Sequence, residues 1–160
     1  MKTTTLLHAD EVARVLERLA SQILERHGSS DQLVLLGIQR RGEDLARRLR
    51  SVLEEKVGHK VPLGTLDINL YRDDWTTLHG KPAIGESSIG VSLDQKDVLL
   101  VDDVLFTGRT IRAALEALLD YGRPRRVELL VLVDRGHREL PIHADYVGRQ
   151  VNTARTEQVN

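Results

Sequence analysis

Two adjacent carboxylates, Asp102 and Asp103, are the side chains whose type and position most clearly indicate chemistry. They follow the apolar run 98–101, which is typical of a strand buried on both faces of a parallel sheet. A small turn reading T-G-R-T follows at 107–110. The carboxylates can accept hydrogen bonds from sugar hydroxyls, and the threonine hydroxyls of the turn can donate to an anion. This pattern predicts a site for a phosphorylated sugar.

The elements on either side of the turn must hold it in place. We expect the strand to stop at Asp102, and a helix after the turn is indicated by one apolar face of Ile111, Ala114, Leu115 and Leu118. The free amides at a helix start, with the helix dipole behind them, favour an anion, and Gly108 lets the backbone approach that anion closely. The alternative is an ordinary strand–loop–helix connection whose acidic residues have no function.

A second strand end carries the opposite charge. Leu33–Ile38 is another continuous apolar run, and Arg40, Arg41 and Gly42 follow it. In open parallel sheets, ligands bind beyond the carboxyl ends of the strands. Fixed positive charge combined with close backbone approach suits a compact anion such as pyrophosphate. The alternative is a solvated turn that leads into a basic helix.

The order of elements predicts an α/β fold, a mostly parallel twisted sheet flanked by helices, in a single domain of residues 1–160. A third apolar strand, Val127–Val133, also ends in polar residues, so three polar turns would meet at one edge of the sheet. Residues 75–93 lose periodicity, and so long an irregular segment is often a lid. The other predicted elements are helices at 10–27 (capped by Asp10), 43–57 and 111–121, a strand or hairpin arm at 61–71, and a short strand at 144–147.

Composition excludes several classes of protein. With 160 residues, 41% of them hydrophobic and 29% charged, the chain is typical of one globular domain. It has no cysteine, so we expect neither a disulfide framework nor thiolate chemistry. No apolar run could span a bilayer and no signal-peptide pattern is present, so we expect a cytoplasmic protein without a membrane partner. The net charge of −1 argues against indiscriminate polyanion binding, and the histidines show no metal-ligand clustering.

The segment V-L-L-V-D-D-V-L-F-T-G-R-T at 98–110 resembles the phosphoribosyl pyrophosphate (PRPP) signature of the type I phosphoribosyltransferases. The resemblance implies their fold, with a small hood and a flexible lid loop at about residues 72–93. It implies that Asp102 and Asp103 face the ribose hydroxyls and that Thr107–Thr110 bind the 5′-phosphate. Arg40 and Arg41 would belong to the pyrophosphate loop. Mg²⁺ would be carried mainly by PRPP or pyrophosphate, with no dedicated protein ligands.

Three segments, 67–74, 101–110 and 133–148, are similar to the PyrR family of bifunctional regulators, and the similarity runs over nearly the whole chain. The family converts uracil and PRPP into UMP and pyrophosphate, and it binds a stem-loop in the leader of pyrimidine-operon messenger RNA when UMP or UTP is bound. The implied catalytic residues are Asp102, Asp103, Arg41 and Arg72. The implied PRPP and UMP contacts are Arg40, Arg41, Asp102, Asp103, Val104, Leu105, Phe106, Thr107, Gly108, Arg109, Thr110, Val133 and Asp134. The implied RNA contacts are Arg18, Arg26, Arg41, His137, Arg138 and Arg149.

Four positions depart from the family pattern: Glu17 replaces a common Thr, Arg40 a Thr, His143 an Arg and Phe106 a Tyr. The alternatives to the bifunctional reading are a base-salvage phosphoribosyltransferase without regulation and a nucleotide-sensing RNA binder with negligible catalysis. A homodimer or homohexamer is expected by analogy with the family.

Overall fold

The computed structural model describes residues 4–28, 31–71 and 87–159. Helices and strands alternate along most of these residues, but the last two strands follow each other directly, and a short 3-10 turn, Asn69–Tyr71, follows the second strand. The elements are α1 Ala9–His27, β1 Leu33–Ile38, α2 Arg41–Val57, β2 Leu63–Leu66, β3 Asp97–Leu105, α3 Arg109–Leu119, β4 Arg126–Asp134 and β5 Tyr146–Gln150.

The five strands form one sheet in the order β2-β1-β3-β4-β5, and every neighbouring pair is parallel. Residue Leu35 of β1 lies beside Leu99 of β3, which in turn lies beside Glu128 of β4. Because all strands run the same way, the polar turns that follow β1, β3 and β4 emerge at one edge. The predicted α/β fold with a parallel sheet is confirmed.

Each face of the sheet has its own hydrophobic core. Helices α1 and α2 cover one face, where the side chains of Leu19, Ile23, Leu49 and Leu53 are fully buried. Helix α3 covers the other face, and its packing side is made largely of small residues, including Ala117. Each fully buried leucine stabilises the fold by about 1.5–3 kcal/mol, so the two cores hold the sheet between rigid layers.

Strand β3 is longer than the sequence suggested. We expected it to stop at Asp102, but it continues through both carboxylates to Leu105, which is 1% exposed. The reason is its pairing with β4, which joins Asp102 to Val131 and extends to the last residue of both strands. The acidic pair therefore lies on a rigid strand instead of a loop.

Helix boundaries also differ from prediction by a few residues. Helix α2 begins at Arg41 and α3 at Arg109, so both arginines are the first residues of helices rather than loop residues. The predicted capping role of Asp10 is wrong, because Asp10 lies within α1 and forms an ion pair with Arg14. The segment predicted as a strand arm at 61–71 contains only the short strand β2 before the 3-10 turn, and the last strand lies later than predicted.

The predicted lid at about 72–93 falls mostly outside the described residues, as does Arg72. In its described part, Ser88 forms an antiparallel bridge with Thr65 beside β2. Leu93 is fully buried in the core beneath α3. The end of this segment is therefore anchored to the sheet and the core.

Helix α2 meets the sheet with almost no space between the two backbones. A Cβ added to Gly42 would lie 2.3 Å from the carbonyl oxygen of Val101 and 3.2 Å from the Cα of Asp102. A Cβ added to Gly37 of β1 would lie 2.6 Å from the Cα of Glu43. Two glycines thus allow the start of α2 to lie directly against β1 and β3.

We expect Gly42→Ala to destabilise the protein by about 1–3 kcal/mol, because the added methyl group meets backbone atoms that cannot move independently. Chemical denaturation followed by circular dichroism measures the change. Gly90→Ala is the matched control, because a Cβ at Gly90 meets nothing within 4 Å. A loss for Gly42→Ala no larger than that of the control would contradict this packing.

Candidate functional site

The turn after β1 brings positive charge to the carboxyl edge of the sheet. The backbone N–H of Gln39 donates to the carbonyl of Leu66 at 2.9 Å, and the Gln39–Arg40 peptide bond is cis. Arg40 is exposed, and Arg41 follows as the first residue of α2. The Nη1 of Arg41 lies 3.6 Å from Oδ2 of Asp103. The structure therefore brings this turn and the acidic pair together, as predicted.

The two carboxylates differ sharply in environment. Asp102 is 7% exposed, and its Oδ1 accepts the backbone N–H of Asp103 at 2.9 Å. Burial, reinforced by the charge and hydrogen bonding of Asp103, raises the pKa of Asp102 well above its usual range. The side chain of Asp103 is 25% exposed and accepts the N–H of Val104 at 2.8 Å. Asp103 is thus the more accessible of the two carboxylates, and the buried Asp102 holds its backbone amide.

The predicted phosphate turn connects β3 to α3. Gly108 has φ +95°, a conformation that favours glycine, and a Cβ there would lie 3.2 Å from Ile142. The hydroxyl of Thr107 accepts the N–H of Arg109 at 3.2 Å, and the carbonyl of Gly108 accepts the N–H of Arg112. The amides of Thr110 and Ile111 precede this first helical hydrogen bond and have no acceptor within the helix, so the first turn of α3 can bind an anion.

Strands β3 and β4 align the phosphate turn with the predicted base-binding residues. Val104 pairs with Val133, and Leu105 pairs with Asp134. The side chain of Val133 is 4% exposed, so only its main chain can face a ligand. The carboxylate of Asp134 is already used, because it accepts the N–H of Gly136 at 3.0 Å and a guanidinium N–H of Arg138 at 2.8 Å.

Arg138 connects the phosphate turn to the loop after β4, and the sequence did not reveal this contact. Besides Asp134, it donates to the carbonyl of Phe106 at 2.6 Å and to the carbonyl of Ile142 at 2.7 Å. Its side chain is 23% exposed. The guanidinium therefore holds the start of the phosphate turn against the loop after β4. Arg138, predicted as an RNA contact, thus also has a structural role.

The predicted RNA contacts fall in three places. Arg18 donates to the carbonyls of Val147 and Gly148 at 3.4 and 2.5 Å, and Arg149 pairs with Glu11 at 3.0 Å, so both lie where α1 crosses β5. Arg26 lies near the other end of α1 and pairs with Glu128 at 2.8 Å. Arg41, His137 and Arg138 lie instead at the carboxyl edge of the sheet. A single chain does not bring all six together.

Polar side chains also lie at the opposite edge of the sheet, where they serve stability. His27 is wedged between Glu128, 2.5 Å from its Nε2, and Asp97, 3.6 Å from its Nδ1. A two-pronged hydrogen bond from Arg125 lowers the pKa of Asp97 despite its burial. This network ties the end of α1 to β3 and β4, far from the acidic pair. The candidate site is therefore at the carboxyl edge of the sheet.

The donor set at that edge suits Mg²⁺ only as a partner of a substrate. Among the described residues, no three His, Cys, Asp or Glu side chains come together in a group that could hold a metal ion. Asp103 offers carboxylate oxygen, the ligand that Mg²⁺ prefers, but the remaining ligands must be phosphate oxygens and water. None of the described helices combines the length and the hydrophobicity that a membrane span requires.

We expect Asp102→Asn to stabilise the protein at neutral pH, because an amide at this buried position carries no charge. Because the pKa of Asp102 is raised by folding, stability is lost as pH rises above the unfolded value of about 4. The variant lacks this loss, so its advantage should vanish near pH 3 and grow toward neutrality. Denaturant unfolding across this range measures the difference, with exposed Asp31→Asn as the control. A variant less stable than the original at neutral pH would contradict the assignment.

The comparisons with known proteins agree with this geometry. The sequence matches the phosphoribosyl transferase domain family over residues 2–159. It is 51% identical over 155 residues to the Bifunctional protein PyrR of Syntrophobacter fumaroxidans, covering 97% of this chain and 83% of that protein. It is 54% identical over 155 residues to the Bifunctional protein PyrR of Deinococcus deserti, covering 97% of this chain and 85% of that protein.

The fold itself has solved counterparts. The hypoxanthine phosphoribosyltransferase of Trypanosoma cruzi superposes with a TM-score of 0.76 at 18% identity, covering 95% of this chain and 83% of that chain. At that identity the likeness shows the fold alone, which is the type I phosphoribosyltransferase fold. With a family match over almost the whole chain and relatives more than half identical, the chain belongs to the PyrR family of phosphoribosyltransferases.

Proposed function

We propose that this protein transfers the phosphoribosyl group of PRPP to uracil, and that the same nucleotide site controls its binding to a stem-loop in pyrimidine-operon messenger RNA. The observation that supports the enzyme is the convergence of three turns at one sheet edge. A partly exposed carboxylate, Asp103, lies between Arg41 at the start of α2 and the phosphate turn at 107–110. This arrangement matches the three parts of PRPP, its pyrophosphate, its ribose and its 5′-phosphate.

In the proposed reaction, the bond from the ribose anomeric carbon to pyrophosphate breaks and a bond to a uracil ring nitrogen forms. The base loses a proton and pyrophosphate leaves. Asp103 accepts hydrogen bonds from the ribose hydroxyls, and the amides and hydroxyls of 107–110 hold the 5′-phosphate. Arg41 and Arg40 place positive charge where pyrophosphate leaves. Asp103 would help to hold the Mg²⁺ that PRPP carries, and the ion would supply further neutralisation of phosphate charge.

Asp102 has a supporting role in this site. It is buried, and its oxygen fixes the backbone amide of Asp103. The adjacent Val104 amide fixes the carboxylate of Asp103 in turn. The ribose would therefore meet a carboxylate already held in one orientation, which reduces the entropy lost when PRPP binds. Arg72, proposed with these residues as catalytic, lies outside the described residues.

The proposed regulatory function depends on the face where α1 crosses β5. Arg18 and Arg149 lie there as exposed residues whose guanidinium groups also bond to the protein. An arginine can grip phosphate with two N–H groups, so this face suits an RNA backbone. The pKa of Glu11 is lowered by a hydrogen bond from the His8 amide and by Arg149, so Glu11 is an anion with which RNA must compete. A regulator of messenger RNA acts in the cytoplasm, and a dimer would double this face.

We expect Asp103→Asn and Arg41→Gln each to lower kcat/KM for uracil transfer by roughly 100-fold, the usual scale for one lost electrostatic contact in an active site. Release of pyrophosphate from PRPP measures the reaction with uracil and, for base choice, with hypoxanthine. Exposed Arg123→Gln at the opposite sheet edge is the control. Near-normal kinetics in either variant, or faster turnover of hypoxanthine than of uracil, would refute the proposed enzyme.

We expect Arg18→Gln and Arg149→Gln to weaken binding to the leader stem-loop while uracil transfer stays unchanged. Each lost phosphate contact should also reduce the dependence of affinity on salt. Filter binding with and without UMP, against a scrambled hairpin, measures this. Arg14→Gln is the matched control, because Arg14 is exposed on the same helix and paired with Asp10. If the unaltered protein binds both hairpins equally with UMP present, the regulatory proposal fails and the enzyme remains.

A further inference from the structure

Arg135 is a buried arginine directly after β4, and its side chain has no place in the mechanism above. The residue is only 6% exposed, which is unusual for arginine. Its guanidinium donates to the carbonyl of Ala154 at 2.9 Å and to the hydroxyl of Thr153 at 3.1 Å. The same hydroxyl donates a hydrogen bond to the carbonyl of Arg135 at 3.3 Å. Since a buried charge is costly unless it is hydrogen-bonded, the segment 153–155 is what allows Arg135 to be buried.

The same guanidinium packs on the phosphate turn. Its central carbon lies 4.0 Å from the centre of the Phe106 ring, within the range of a cation–π contact. The ring of His137 meets Phe106 edge-on at 5.9 Å, and its Nε2 lies 2.5 Å from the carbonyl of Thr153. The main-chain N–H of Arg135 donates to the carbonyl of Leu105 at 3.1 Å. Phe106 is therefore held between two side chains that both contact the segment 153–155.

A second connection reaches the other end of the turn. Arg155 pairs with Glu139, and the second oxygen of Glu139 accepts a hydrogen bond from Arg109 at 2.8 Å. The backbone N–H of Glu139 donates to the carbonyl of Thr107 at 2.8 Å. The segment 153–155 thus contacts the start of the phosphate turn through Arg135 and its end through Glu139. Few free conformations remain for the turn between these two anchors.

We propose that Arg135 is a positioning residue for the 5′-phosphate site, through which the segment 153–155 holds Phe106 and so fixes the phosphate turn. This inference rests on the proposed function and adds a residue and a segment to it. The guanidinium contacts Thr153, Ala154 and the Phe106 ring, so its effect reaches the ligand through the turn. It follows that Arg135 determines affinity for phosphorylated ligands and leaves affinity for the base unchanged.

We expect Arg135→Leu to raise the KM for PRPP and the Kd for UMP by roughly tenfold, the scale of one lost charge-assisted hydrogen bond. The KM for uracil and kcat should stay within about twofold, because the groups at the reacting bond are untouched. Arg135→Lys keeps the charge but loses the planar stack, so it should restore only part of the affinity. Steady-state kinetics with each substrate varied, and calorimetric titration with UMP, measure these quantities.

Thr153→Val provides a second test that is independent of the buried charge. It removes the hydroxyl that Arg135 contacts while keeping the shape of the side chain, so the same selective loss of PRPP affinity should appear at smaller size. This variant decides the question if Arg135→Leu fails to fold. Arg123→Leu, an exposed arginine at the opposite sheet edge, is the matched control for the change in residue type.

Two outcomes would overturn the inference while leaving the enzyme intact. Equal losses in PRPP and uracil affinity would mean that Arg135 serves the base, and unchanged PRPP affinity in Thr153→Val and Arg135→Leu would mean that the turn needs no such support. Failure of the unaltered protein to bind UMP and to release pyrophosphate would instead refute the proposed function, and this inference with it. The kinetics of the unaltered protein separate the two cases.

Discussion

The site depends on the close approach of helix α2 to strand β3 at Gly42. A side chain there would collide with the carbonyl of Val101, so only glycine lets the first turn of α2 rest on the strand at the acidic pair. This approach puts Arg41 beside Asp103, 3.6 Å apart, with one residue at the start of a helix and the other on a strand. Both elements are packed into cores, so the positive and the negative charge are held on rigid supports.

The acidic pair shows how one sequence motif divides into two roles. Adjacent residues of a strand point to opposite faces, so the two carboxylates differ in burial although they interact. Asp102 points where burial raises its pKa, whereas Asp103 points to the open edge. The cost of burying Asp102 is reduced because its oxygen binds the amide of its neighbour. The unfavourable burial of Asp102 thus accompanies a fixed backbone position at Asp103, and such local strain is common at functional sites.

The structural features that depend on a local sequence pattern were predicted correctly. The apolar run 33–38 marked β1 to the residue, and the polar turns after three apolar strands emerge at one edge of the sheet, as predicted. The sequence did not predict what depends on partners distant in the chain. The extension of β3 to Leu105 follows from pairing with β4, and the contacts of Arg135 join residues separated by 18 positions with no periodic signal. Capping was also misjudged, since Glu11 rather than Asp10 accepts the His8 amide.

These distant contacts have a consequence for a protein with two proposed functions. Arg138 donates at once to Phe106 in the phosphate turn and to Asp134 in the loop after β4, so a shift of either would move it. Arg18 and Arg149 contact β5 and α1 instead, away from the phosphate turn. Under the proposed function, the two groups would contribute differently to RNA binding. Arg18 and Arg149 would supply charge in every state, whereas Arg138 and its neighbour His137 would sense whether a nucleotide occupies the site. Nucleotide-dependent RNA recognition would then arise from a guanidinium that fixes the nucleotide site and borders the RNA, without any large rearrangement of the sheet.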